Sequence, residues 1–182
     1  MTLEIKVGKP RLTLHQGYTV AVAEPGGEMR AGSSDGLFFR DTRLINVWEI
    51  AANEKPWTLL NSGSLSGSAG RAYLTNPDLP SEGAVIPAQA LGLVFSRHVY
   101  GGMHEDIDIT NHHATPVRFE FTLALKGDFA DLFEVKGKKV TKRGKILTEW
   151  QADVQSMTTR YRNKDFSRAF RITAKNAGAP MT

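Results

Sequence analysis

The residues best equipped for polar chemistry lie at 33–43, S-S-D-G-L-F-F-R-D-T-R, where two acids, two arginines and three hydroxyls surround Leu37, Phe38 and Phe39. The apolar residues can anchor the segment, while Arg40, Asp41 and Arg43 offer a fork of donors and acceptors suited to a sugar or to another polar surface. The competing reading is structural, a short buried strand whose Arg40, Asp41 and Arg43 form an internal ion-pair network. Alternation along an extended segment puts Leu37, Phe39 and Asp41 on the core side and Phe38, Arg40 and Thr42 on the other. A buried Asp41 needs a partner, and Arg43, of the same parity, is the expected one.

A second acidic set, Asp128, Asp131 and Glu134, recurs every three residues in D-F-A-D-L-F-E-V. One helical turn over 128–135 gathers these acids on one side and Phe129, Leu132 and Phe133 on the other. Glycoside hydrolysis needs carboxylates about 5 to 9.5 Å apart that flank the scissile bond. Adjacent turns of one short segment put both on the same side of a sugar, so these acids are expected to be solvated or to cap the turn. His104, Asp106 and Asp108 alternate onto one strand face and could form a mixed nitrogen and oxygen metal site. Cross-strand pairing accounts for them without an ion, and neither a metal nor a cofactor is expected. No catalytic triad, P-loop or dinucleotide fingerprint is present, and no catalytic residue is assigned.

The elements that would carry these groups read as strands. Turn signals recur every 8 to 15 residues or so, without a convincing 3.6-residue period over a helix-length window. Positions 18–23 run into a turn at 24–27, and 44–52 turn at 53–56 before Trp57 continues. The clearest hairpin joins 91–100 to 103–111 through Gly101 and Gly102. A two-residue turn there sets Arg97 opposite Asp106 and His98 opposite Glu105, pairs of about 0.2–1 kcal/mol each. From Val117 the alternation is strict: Val117, Phe119, Phe121, Leu123 and Leu125 share one face, and Arg118, Glu120, Thr122 and Lys126 the other. So many half-apolar strands must cover one another, which predicts an all-β, two-sheet, mostly antiparallel β-sandwich with minor helical turns. The Ser/Gly-rich 61–70 is a loop between segments of like character, and 1–182 is expected to be one domain.

Composition narrows the class further. Of 182 residues, 41% are hydrophobic and 23% charged, and no apolar run approaches the ~18 needed to cross a bilayer. With no cysteine there is no disulfide framework and no thiol nucleophile. The N-terminus has no apolar leader segment, so a cytoplasmic location is expected. The net charge of +4 is uneven: 136–171 holds 11 basic and 3 acidic residues, leaving 12 basic and 16 acidic elsewhere. The run K-G-K-K-V-T-K-R-G-K at 136–145 lacks interleaved aromatics, and Gly137 and Gly144 frame an expected hairpin turn, so it reads as a solvated loop and not as a nucleic-acid footprint.

Three stretches occur in a telling order: G-L-F-F-R-D-T-R at 36–43, L-T-N-P-D-L at 74–79 and D-F-A-D-L-F-E-V-K-G at 128–137. With G-M-H-E-D-I-D-I-T-N at 102–111 and the strand after it, they cover roughly 18–172 and resemble the N-terminal domain of bacterial glycogen-debranching-enzyme-like proteins, the amylo-alpha-1,6-glucosidase group. The resemblance implies a non-catalytic domain preceding an (α/α)6 barrel that holds the glycosidase carboxylates. It implies, too, an α-glucan or oligosaccharide substrate, with Arg40, Asp41 and Arg43 available to the cleft rim. The chain is expected to stop short of such a barrel and to have no activity alone. No nucleic-acid or membrane partner is expected, and an uncovered apolar patch would favour self-association. The alternative is a stand-alone carbohydrate-binding module using Trp48, Trp57 or Trp150 as stacking platforms, though each tryptophan lies in an apolar strand. A third reading, a sugar-active enzyme in its own right, requires convergent acids or a histidine in a polar pocket.

Overall fold

The computed structural model describes residues 8–81, 84–141 and 143–175. In chain order it begins with β1 (Leu12–Gln16), β2 (Thr19–Ala23), β3 (Gly36–Phe39) and β4 (Thr42–Ile45), which form one sheet in that sequence. Next come β5 (Val47–Ala52), β6 (Lys55–Pro56), β7 (Thr58–Ser64), β8 (Ala69–Thr75), β9 (Leu79–Ser81) and β10 (Ala84–Ile86). The hairpin β11 (Leu91–Val99) and β12 (Met103–Asn111) precedes β13 (Phe121–Lys126) and the one α-helix among the described residues, α1 (Leu132–Gly137). The last sheet is built from β14 (Lys145–Gln151), β15 (Ser156–Asn163) and β16 (Phe166–Thr173).

The expected all-β sandwich is what forms. All of these strand pairings are antiparallel. The strands are divided among several smaller sheets, β12-β11-β8-β7 and β13-β5-β6 among them. One apolar core is nevertheless shared, running through Leu14, Trp48, Leu74, Leu93, Phe95 and Phe170 from different sheets. The chain itself helps to join the layers. Asn53 and Glu54 both take positive φ, the requirement of a two-residue type I′ turn, and Ala52 pairs with Lys55 across it. Trp57 then leaves that sheet, packs edge-on to Phe119 at 6.2 Å, and leads into β7 of the next. The strict alternation after Val117 appears as read, although the ladder to β5 begins only at Phe121.

One expected register is corrected. Val99 pairs with Met103, so Tyr100, Gly101 and Gly102 form a three-residue loop, and Arg97 faces Glu105 while His98 faces His104. Of the two glycines only Gly101 adopts positive φ, so the two-residue primed turn does not form. The one-residue shift has a large consequence, because Arg97 points into the core, where it is 1% exposed. Its Nε and Nη2 lie 2.7 and 2.6 Å from Glu105 Oε2, and its guanidinium sits 4.8 Å from the Phe95 ring centre. Glu105 Oε1 also accepts a 2.9 Å hydrogen bond from Trp48 Nε1. Gly27 closes this cluster: with φ +90, a Cβ there would stand 2.1 Å from Phe95 Cε1.

Glu28 lines the same small space and pairs with Arg30. Burial raises its carboxyl above the ordinary 4.5, with Arg30 opposing the shift and Glu24 and Glu49 adding to it. Because the folded state holds this proton more tightly than the unfolded chain, the contribution is favourable below the ordinary value and is lost as pH rises through the raised one. Glu28→Gln, which cannot ionise, should therefore gain stability relative to the parent as pH climbs from about 4 toward neutrality. Denaturant titrations across that range check it, and a difference that is flat or falls with pH would count against buried ionisation of Glu28.

Candidate functional site

The 33–43 segment divides at a turn. Phe39 pairs with Thr42, so Arg40 and Asp41 form a two-residue hairpin loop in which Arg40 takes φ +55. Alternation does not continue through a turn, and Asp41 is exposed; it is not the buried acid of Arg43. Arg40 Cζ lies 5.3 Å from the Tyr18 ring centre and 5.6 Å from that of Phe39, and its amide donates to the Tyr18 carbonyl at 2.8 Å. Leu37 enters the main core, whereas Phe38 packs into a small second core with Ala130 and Val135, a register irregularity in β3–β4 separating the two. Phe39, expected in the core, is only partly buried beneath Arg40.

Arg43 is the buried member, 4% exposed, and its partner is Asp128, 85 positions away. Nε donates to Asp128 Oδ1 at 3.2 Å and Nη2 to Oδ2 at 2.5 Å, a bidentate pair, while Nη1 donates to the carbonyls of Ser33 and Asp35 at 2.9 and 3.2 Å. Glycine at 36 permits this approach, since a Cβ there would stand 2.5 Å from Arg43 Cδ and 2.6 Å from the Ile45 carbonyl oxygen.

The 128–137 segment is fastened to the same place. The Arg43 amide donates to the Ala130 carbonyl at 2.8 Å, and the Leu132 amide to the Asp41 carbonyl at 3.0 Å. Asp131 caps α1 through a capping box with Glu134, so the expected turn begins four residues later than read and its acids serve as cap and anchor. The expected hairpin across 136–145 is also corrected: Gly137 ends α1, and Lys138 takes φ +52 as its left-handed cap. Lys139 N donates to the Glu134 carbonyl, Thr141 N to Glu134 Oε1, and Arg143 Nη2 lies 3.3 Å from Glu134 Oε1, so this stretch folds back on the helix. Lys142 lies outside the described residues.

Two surfaces result. The outer one surrounds the 40–41 loop, which is bonded to Tyr18 and Leu132, and forms an exposed end of this construction carrying Tyr18, Arg40, Asp41 and Phe133, with Tyr18 69% and Phe133 86% exposed. Behind it is a polar cleft of about 160 Å³ lined by Ser33, Arg43, Asn46, Asp128, Glu134 and Lys138. Of the three expected site residues, Arg40 and Asp41 thus belong to the outer surface and Arg43 to the wall of the cleft.

A comparison with known families settles what these convergent segments belong to. Residues 14–181 match the family described as the N-terminal domain of (some) glycogen debranching enzymes. The chain belongs to that family. No curated protein and no solved structure matches it. For this debranching-enzyme N-terminal domain, two of the resembling stretches, 36–43 and 128–137, therefore meet at one construction around Arg43 and Asp128.

The other candidates fare differently. Trp48 and Trp57 are buried and Trp150 is half-buried, so Trp48 and Trp57 cannot serve as open stacking platforms. His104 Nε2 lies 3.1 Å from Asp106 Oδ1 on an exposed face, and no group of three potential metal ligands is gathered among the described residues. No helix among them is long and apolar enough to cross a membrane. Sequence reading missed Asn46, Tyr18 and Phe133 as site residues; Phe133 had a signal, an aromatic at the start of a helical turn beside the acids, whereas Asn46 had none.

Proposed function

We infer that this chain acts as the non-catalytic N-terminal domain of a debranching-enzyme-like α-glucosidase. It packs against an (α/α)6 catalytic barrel through the end carrying Tyr18, Arg40, Asp41 and Phe133, and it lends Arg40 and Asp41 to the rim of the carbohydrate cleft. The observation that carries this reading is the Arg43–Asp128 pair, which holds both motif segments rigid behind an exposed aromatic and charged end. Large exposed rings beside a positioned arginine suit burial against a partner or stacking on sugar. The acids of the 128–135 segment are already engaged: Asp128 by Arg43, Asp131 by the helix cap, Glu134 by Asp131 N, Thr141 N and Arg143. Without its barrel the same end is uncovered, which makes it the place for self-association.

The test uses the enzyme that carries both domains. Arg40 is exposed and already left-handed, so Arg40→Ala should change stability by no more than about 0.5 kcal/mol. At the cleft rim, the same change should lower kcat/KM on an α-glucan by about tenfold. Unchanged kinetics in a folded variant would remove Arg40 from the rim.

A further inference from the structure

The polar cleft offers more than a wall behind the docking end. Most of its groups are satisfied. Arg43 is committed to Asp128, Ser33 O and Asp35 O, and Glu134 accepts from Asp131 N, Thr141 N and Arg143. Two are not. The side-chain carbonyl oxygen of Asn46 is buried without a hydrogen-bond partner, and Lys138, an exposed lining residue, forms no hydrogen bond or ion pair among the described residues. A buried acceptor left unpaired is costly, which favours a ligand that brings a donor to it.

The chemistry of that ligand follows from the walls. The lining offers acceptors at Asn46 and Asp128 and a donor at the exposed Lys138, with Val135 and Val140 as apolar wall, and a hydroxyl can serve both kinds because each is donor and acceptor together. A phosphate would gain Lys138 but would meet the carboxylates of Asp128 and Glu134. The size also selects: about 160 Å³ is far above the ~10–15 Å³ that one water requires, yet below the ~300–1,000 Å³ of sites for drug-sized molecules. The geometry points to a subsite for a single neutral sugar ring, the terminal glucosyl unit of an α-glucan, held by Asn46 and Lys138. The ring and its hydroxyl chemistry rest on the cleft alone; its identity as glucosyl rests on the function proposed above.

Amide NMR and calorimetric titration of the 182-residue chain with glucose, maltose, isomaltose, galactose and inorganic phosphate test this. The gluco-sugars should give saturable shifts centred on Asn46 and Lys138. Asn46→Ala and Lys138→Gly should each weaken binding by about tenfold, the loss of one hydrogen bond to a buried or charged partner. Glycine at 138 keeps the left-handed backbone unstrained, so that variant stays folded even if Asn46→Ala does not. No saturable shift with any sugar, shifts that both variants leave unchanged, or a response to phosphate alone would each overturn the subsite. Preference for galactose would overturn the glucosyl assignment. Sugar binding that persists while Arg40→Ala leaves kinetics untouched would remove Arg40 from the rim and keep the subsite, and the reverse pattern would do the opposite.

Discussion

Arg97→Ala is expected to lower the unfolding free energy by about 4 kcal/mol, within the ~3–5 kcal/mol typical of breaking a buried ion pair. Most of that loss does not come from attraction between the two charges. Bringing both from water into the core largely offsets their attraction, whereas removing Arg97 leaves the Glu105 carboxylate buried with Trp48 Nε1 as its remaining hydrogen-bond donor among the described residues. The stacking of the guanidinium on Phe95 is lost as well. A surface pair in the same register would cost about 1 kcal/mol or less, so the size of the effect separates a core role from a surface one. Arg97→Met with Glu105→Leu should recover part of the loss, leaving about 1–3 kcal/mol for the orphaned indole N–H. Denaturant titration with an unchanged m-value is the measurement, and a single-variant loss below about 1 kcal/mol would refute the buried-pair account.

Arg43→Ala should follow at about 3 kcal/mol, less than Arg97 because Asp128 retains a 16% exposed side chain. The distinguishing outcome is local. With the clamp gone, the carbonyls of Ser33 and Asp35 lose their donor and the 128–137 segment loses its tie to β3 and β4, so amide protection in α1 should fall more than protection in β11. Arg43→Lys keeps the charge without the bidentate fork and should recover less than half of the loss. Uniform loss of protection across the chain would mean that Arg43 supports the fold at large instead of this construction.

The difference between these residues and Arg40 shows what could be read from the sequence. The alternation from Val117 to Leu125 was legible because one face is core and the other water, and period-2 patterning records that directly. The Arg97–Glu105 pairing was missed by one position, since nothing in Y-G-G-M says that Tyr100 joins the loop and that only Gly101 turns left-handed. Asp41 was misplaced for a related reason: parity was carried through a turn whose left-handed residue is an arginine, not the glycine or asparagine that marks such turns. The Arg43–Asp128 contact carries no local periodicity at all. Its two halves stand out in the sequence, one for its charges and one for its spaced acids, but only the folded chain shows that they are one structure.

The 85 positions between Arg43 and Asp128 also order events in time. A six-residue helix such as α1 cannot persist alone in water, because nucleating it costs more than so few hydrogen bonds return. It has to await a finished β3–β4 hairpin to dock on, and the loop closure needed is long. The clamp and the cleft are therefore expected to form only once β3–β4 and the β5–β13 ladder are in place, and amide exchange in α1 faster than in β11 would show that they open before the core does.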